Sequence, residues 1–136
     1  MNSYYTEVLI DHNLHPLHRG KMADADLAAT LTNSSCGDKL KIHLKIKNRK
    51  IVDGSFEGQG CAVSQASADL MLDLLIGKTV KKATELAPLF QAMIHGEEKD
   101  FSKLEDAQAL QNVAKMPART KCALLAWKVC KKLENY

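Results

Sequence analysis

Hydrophobic residues recur along this chain with two different periods, and the change between them divides it. Over residues 3–13, Tyr5, Val8, Leu9 and His12 recur at helical spacing, and Pro16 and Gly20 close the segment. Over residues 26–56 the period falls to two. LAATLTN leads into a loop around Cys36. KLKIHLKIK then alternates Leu40, Ile42, Leu44 and Ile46 with polar neighbours, the pattern of a half-buried antiparallel strand, and places His43 on its polar face. Asn48-Arg49 is the expected turn and IVDGSFEG the returning strand, with Gly54 marking a bulge.

From Cys61 onward the pattern is helical. Val63, Ala66, Leu70 and Leu74 form a stripe that ends at Gly77. Thr79 is placed to cap the next helix, KKATELAPLFQAMIHG, in which Pro88 predicts a kink or break. HGEEKD reads as a polar connection, followed by a short helical piece over 104–113. Pro117 suits the first turn of a last helix, with Cys122, Leu125, Ala126, Val129 and Leu133 on one face and Trp127 as an anchor beside it. No repeat or linker interrupts the 136 residues. The expected architecture is one domain, 1–136, of α+β class: a small three-stranded antiparallel sheet with helices packed on one face.

Charge narrows the function classes. The formal net charge of +3 is mild, and the densest basic stretches, KLKIHLKIKNRK and KVCKK, carry no aromatic platform, which argues against nucleic-acid binding. No apolar run reaches membrane-spanning length, and the N-terminus lacks a secretion-type pattern, so a cytoplasmic protein without a membrane partner is expected. In that compartment the four cysteines read as thiols or metal ligands rather than disulfides.

Three of them lie where backbone geometry makes a thiol useful. Cys36 and Asp38 flank Gly37 in SSCGD, so both side chains can turn to one side. Cys61 follows Gly58-Gln59-Gly60 and opens a helix, where free N–H groups favour a thiolate. Cys122 follows Arg119 by one turn, beside Lys121. Three thiolates and one carboxylate suit a borderline-soft ion, most simply Zn²⁺. Such a site carries a formal charge of about −2, which gives the two cations a reason to be near. Its hard carboxylate ligand favours exchange over permanence. Each cysteine alone is equally readable as a small buried hydrophobe. Cys130 stands about 12 Å along the helix from Cys122 and reads as structural or partly exposed. His12, His15 and His18 are regularly spaced, but Pro16 interrupts them, so a shared metal-binding face is not expected. His95 reads as a helix-end residue. Ser34, Ser35 and Ser64 have no evident base partner, and GQGC lacks phosphate-loop spacing.

Nearly the whole chain resembles the SufU branch of the U-type iron–sulfur assembly proteins. The resemblance lies in YYTEVLIDHNLHPLHRG, NSSCGD, FEGQGCAVSQASADLM and MPARTKCALLAWKV. The IscU scaffold branch typically carries Leu-Pro-Pro-Val-Lys and a histidine before its last cysteine; here the stretch is KMPARTKC, with Lys121 preceding Cys122. Residues 97–113 resemble the added segment of SufU proteins.

The resemblance implies a SufE/IscU-like fold and a zinc-bound sulfur acceptor serving a SufS-type cysteine desulfurase and downstream iron–sulfur assembly proteins. It assigns zinc to Cys36, Asp38, Cys61 and Cys122, with Arg119 supporting the site. It further implies that a desulfurase histidine joins the metal and frees Cys36, which attacks the terminal sulfur of the desulfurase persulfide. Whether such a carrier counts as an enzyme stays open. Two other readings remain: a scaffold holding a transient iron–sulfur cluster on the same cysteines, and a zinc-stabilised regulator of the desulfurase that carries no sulfur.

Overall fold

In the computed structural model, which describes residues 3–136, the two periods become two layers; Met1 and Asn2 of the expected unit lie outside the described residues. Strands β1 (Leu27–Asn33), β2 (Asp38–Lys47) and β3 (Lys50–Gln59) form an antiparallel sheet in that order. Leu40, Ile42 and Leu44 are fully buried beneath the helices. Asn48 and Arg49 both take left-handed φ values, 53° and 61°, as a two-residue turn between the paired Lys47 and Lys50 requires. These elements match the α+β expectation.

The bulge is elsewhere than expected. Lys45 pairs with Asp53 and Ile46 with Ile51, which leaves Val52 as the extra residue. Gly54 instead pairs regularly with Leu44, and its hydrogen faces the helical layer. A Cβ there would stand 2.8 Å from Leu72 Cδ2 and 3.1 Å from Leu44 Cδ2. The glycine is a close-approach site between sheet and helix.

Helix α1 (Ser3–Leu14) turns Tyr5, Val8 and Leu9 partly inward and buries His12. His12 Nδ1 meets Asp69 on helix α2 (Ala62–Leu75) at 2.5 Å. The same carboxylate accepts from the backbone N–H groups of Leu17 and His18, at 3.1 and 2.8 Å. His18 also reaches Asp73, while His15 is exposed. His12 and His18 therefore dock α1 and its following loop on α2, each with a separate carboxylate.

Helix α3 (Val80–Ile94) begins at Thr79, whose hydroxyl accepts from Lys82 N at 3.0 Å. It is not broken at Pro88. A proline inside a helix costs about 3 kcal/mol, but Pro88 is exposed while Leu86 and Phe90 on either side are buried. Packing holds the helix where local preference would end it.

The segment Ser102–Lys115 is wound as 3₁₀ turns that reverse at Glu105, φ 51°, and it buries Leu104, Leu110 and Val113. The expected last helix is divided into Pro117–Arg119, α4 (Thr120–Leu124) and Ala126–Asn135. Its joints have tight three-residue hydrogen bonds, Leu125 N to Cys122 O and Lys128 N to Leu125 O. Burial at Cys122, Ala123, Leu125, Ala126, Trp127, Val129 and Cys130 is wider than one stripe, so the segment is enclosed on several sides. Trp127 stacks on Phe90, with centroids 4.0 Å apart, and donates to Ser67 Oγ at 3.1 Å.

His43 also departs from expectation. It lies on the outer side of the sheet yet is 4% exposed, because Nε2 is paired with Glu57 Oε2 at 2.7 Å on the neighbouring strand. That bond holds the Glu57 carboxyl below its ordinary range.

Gly54→Ala is expected to lower stability in urea unfolding by about 1–3 kcal/mol through overpacking against Leu72. Val52→Ala, at an exposed bulge, should change it by about 0.5 kcal/mol or less; equal effects would contradict this assignment.

Candidate metal centre

The β1–β2 connection, residues 34–37, is closed at its base by the Asn33–Asp38 pair. Cys36 N donates to Asn33 O at 3.3 Å, and Gly37 takes φ +70°, the conformation that lets so short a loop turn back. Cys36 is thereby held half-buried near the loop tip. Asp38 begins β2 at 2% exposure.

Cys61 is the N-cap of α2. Its thiol accepts from Ser64 N at 3.5 Å, and its own N–H donates to Asp38 Oδ1 at 2.9 Å. Burial opposes its thiolate, but the Ser64 N–H, a hydrogen bond from Cys122 and the Ser64 side chain together hold the thiol below its ordinary range. The two glycines before it are sterically required. A Cβ on Gly58, φ +121°, would lie 2.1 Å from Lys39 O, and one on Gly60 2.2 Å from Ser64 Oγ and 3.0 Å from Asp38 Oδ1.

Cys122 enters from α4, buried. It stands 3.0 Å from Cys36 Sγ, well beyond the S–S bond length of about 2.05 Å, so the two are thiols in contact. Burial first, then the neighbouring Cys36, Asp38 and Cys61 side chains, push its thiol well above the ordinary range. Ser67 fixes α4 on α2 through its hydroxyl, which donates to Ala123 O at 2.6 Å. Arg119 is exposed, with its guanidinium turned to the thiols; its hydrogen bond with Cys122, then the charge of Cys61, raise its pKa further.

The ligand atoms of Cys36, Asp38 and Cys122 all lie within 4.8 Å of one another. Cys61 reaches the Cys122 thiol but is not within that distance of all three. Asp38 Oδ2 is buried and has no hydrogen-bond partner among the described residues. A buried, unpaired carboxylate oxygen is costly, and this one stands in a cluster of sulfurs that a borderline-soft cation fits. Lys121 is exposed, and Cys130 is 2% exposed, its thiol pushed up to about 12 by burial.

Sequence reasoning missed Asn33, whose Nδ2 donates to Cys122 Sγ at 3.7 Å. It also missed Asp69, Ser67 and the Arg19–Gln65 pair. Only Asn33 had a usable local signal, its position opposite Asp38 in a hairpin.

Comparison with known proteins gives one consistent family. The profile of the NifU-like N-terminal domain matches residues 4–129. The chain is 37% identical over 133 residues to the zinc-dependent sulfurtransferase SufU of Bacillus subtilis, covering 97% of this chain and 90% of that protein. It is 39% identical over 127 residues to the iron–sulfur cluster assembly scaffold protein IscU of Thermotoga maritima, covering 93% and 89% respectively. A solved structure named as that of an iron–sulfur cluster assembly scaffold protein for the SUF system (SufU), from Fervidobacterium islandicum AW-1, superposes with a TM-score of 0.87 at 36% identity, covering 93% of each chain.

In metal-free, reduced protein, alkylation at neutral pH should modify Cys36 and Cys61 and spare Cys122 and Cys130 until denaturant is added. The Cys61 rate should rise with pH and level off below the pH at which an ordinary thiol does, because its thiolate is already favoured. Peptide mass spectrometry checks both; rapid labelling of Cys130 in the folded protein would contradict the burial described.

Proposed function

The chain belongs to the NifU-like N-terminal domain family and serves iron–sulfur cluster assembly, and on that premise we propose that it is a zinc-dependent sulfurtransferase which takes persulfide sulfur from a SufS-type cysteine desulfurase onto Cys36. The observation that carries this reading is the juxtaposition of a half-buried, loop-borne Cys36 with buried Cys122 and with a buried Asp38 oxygen that has no hydrogen-bond partner among the described residues.

Cys36, Asp38, Cys61 and Cys122 would hold the zinc, which when bound keeps thiolates deprotonated at neutral pH. The chain's own residues divide the remaining work by exposure. Cys122 and Asp38 are buried and fixed by secondary structure, so they suit holding. Cys36 is the cysteine on a short surface loop, so it suits meeting another protein's sulfur. Its thiolate attacks the terminal sulfur of the donor persulfide; a new S–S bond forms on Cys36, the donor's S–S bond breaks, and the donor cysteine leaves as thiolate. No net oxidant is needed. Arg119, turned toward the thiols, offsets the negative charge that collects there.

The scaffold reading is favoured by 39% identity to the Thermotoga maritima scaffold and 40% to that of Streptococcus pyogenes, both slightly above the identity with the Bacillus subtilis SufU, and by the scaffold name of the solved Fervidobacterium islandicum structure. Thiolates hold both kinds of centre, so ligand type does not separate them. Lys121 in place of a histidine before Cys122 favours the transferase.

Purified protein is expected to carry about one zinc per chain, and incubation with desulfurase and cysteine should add one sulfur to Cys36 by mass spectrometry. Cys36→Ala should abolish that acceptance while the desulfurase still turns over with a small-thiol reductant. A cluster with visible absorption, obtained anaerobically and transferable to an apo-acceptor, would instead establish the scaffold. A Cys36 variant that binds zinc and fully stimulates the desulfurase would establish a regulator.

A further inference from the structure

Cys61 follows two glycines, the residues with most backbone freedom, yet it must place both its thiol and the N–H that holds Asp38. Steric fit keeps Gly58 and Gly60 close to Lys39 and Ser64 on the inner side. On the outer side the same segment is gripped by two side chains. Arg19 Nη2 donates to Gly58 O at 2.7 Å and Nη1 to Gln65 Oε1 at 2.9 Å. Gln65 Nε2 in turn donates to Gly60 O at 2.7 Å. The two carbonyls on either side of Gln59 are thus joined through one guanidinium and one amide.

Arg19 is itself well placed to act as a fixed point. Its neighbours pair with the free edge of β3, Phe56 N donating to His18 O at 2.9 Å and Gly20 N to Phe56 O at 2.8 Å. Asp69 holds the backbone of Leu17 and His18, and the guanidinium lies 5.5 Å from the Phe56 ring centroid. A planar fork with two directed donors suits this task better than an ammonium.

We propose that Arg19 and Gln65 are positioning residues for the metal centre, fixing the Gly58–Gly60 carbonyls so that Cys61 presents its thiol and holds Asp38 in one arrangement. The inference rests on the zinc reading for its purpose but not for its geometry. It links α1, through Asp69 and its loop, to the sulfur cluster. Residues supporting a ligand in this way typically change metal affinity by about 10–100-fold when removed.

The test uses the full-length protein with Arg19→Met and Gln65→Met, each removing hydrogen bonds while keeping an unbranched side chain. Zinc affinity is measured by competition with a chromogenic chelator, Cys61 alkylation by peptide mass spectrometry on metal-free protein, and folding by thermal melting. The expected result is zinc binding weakened about tenfold and Cys61 alkylation changed several-fold at unchanged Cys36 alkylation, with the fold retained. Arg19→Lys should fall between wild type and Arg19→Met in both readouts. Wild-type zinc affinity and Cys61 alkylation in both Met variants would overturn the inference. So would lowered melting temperatures with those two readouts unchanged. Wild-type protein that takes up no zinc, with Cys61 alkylation still dependent on Arg19 and Gln65, would overturn the metal reading and leave the clamp standing.

Discussion

The structure turns on the carboxylate of Asp38, whose two oxygens have different circumstances. Oδ1 accepts the Cys61 N–H and so ties the first residue of β2 to the first turn of α2. Oδ2 is buried and has no hydrogen-bond partner among the described residues. Leaving one oxygen of a buried carboxylate unsatisfied costs stability, commonly about 1–3 kcal/mol. The fold bears that cost where the Asp38 carboxylate clusters with the thiols of Cys36 and Cys122. Asp69, by contrast, has both oxygens satisfied, by His12, Leu17 and His18.

Much of the helical layer can be understood as support for that convergence. Ser67 bonds to Ala123 and receives Trp127, so α2 and the final segment are fixed relative to each other, and with them Cys61 and Cys122. The fully buried Leu40, Ile42 and Leu44 fix the strand that Asp38 begins. Cys36 alone sits on a short loop, where movement requires no loss of core packing. The centre thus pairs a deeply buried thiol, Cys122, with a half-buried one on a loop, Cys36.

The features legible in the sequence were those whose cause is local. The Cys-Gly-Asp turn, the Cys61 and Thr79 caps, the Asn48-Arg49 turn and the alternation of β2 each follow from a few neighbouring residues. What was not legible depends on contacts distant in sequence. Gly54 resembles a bulge until Leu72 is seen above it. Pro88 signals a break until burial of Leu86 and Phe90 outweighs it. His43 reads as a surface residue because Glu57, its partner, belongs to another strand. Asp69 lies inside a stretch that carries the family resemblance, but nothing local signals its role, since its three partners lie in the first eighteen residues. The candidate ligands were readable as residue types, and the resemblance implied a separate role for Cys36, but the exposure that separates Cys36 from Cys122 is set only by the fold.

The central claim concerns which atoms gather around one ion, so zinc K-edge X-ray absorption on the purified, zinc-loaded protein tests it most directly. The account predicts three sulfur neighbours at about 2.3 Å and one oxygen at about 2.0–2.2 Å, with the oxygen replaced in Asp38→Ala. A shell containing imidazole nitrogen, or two sulfurs or fewer, would contradict it.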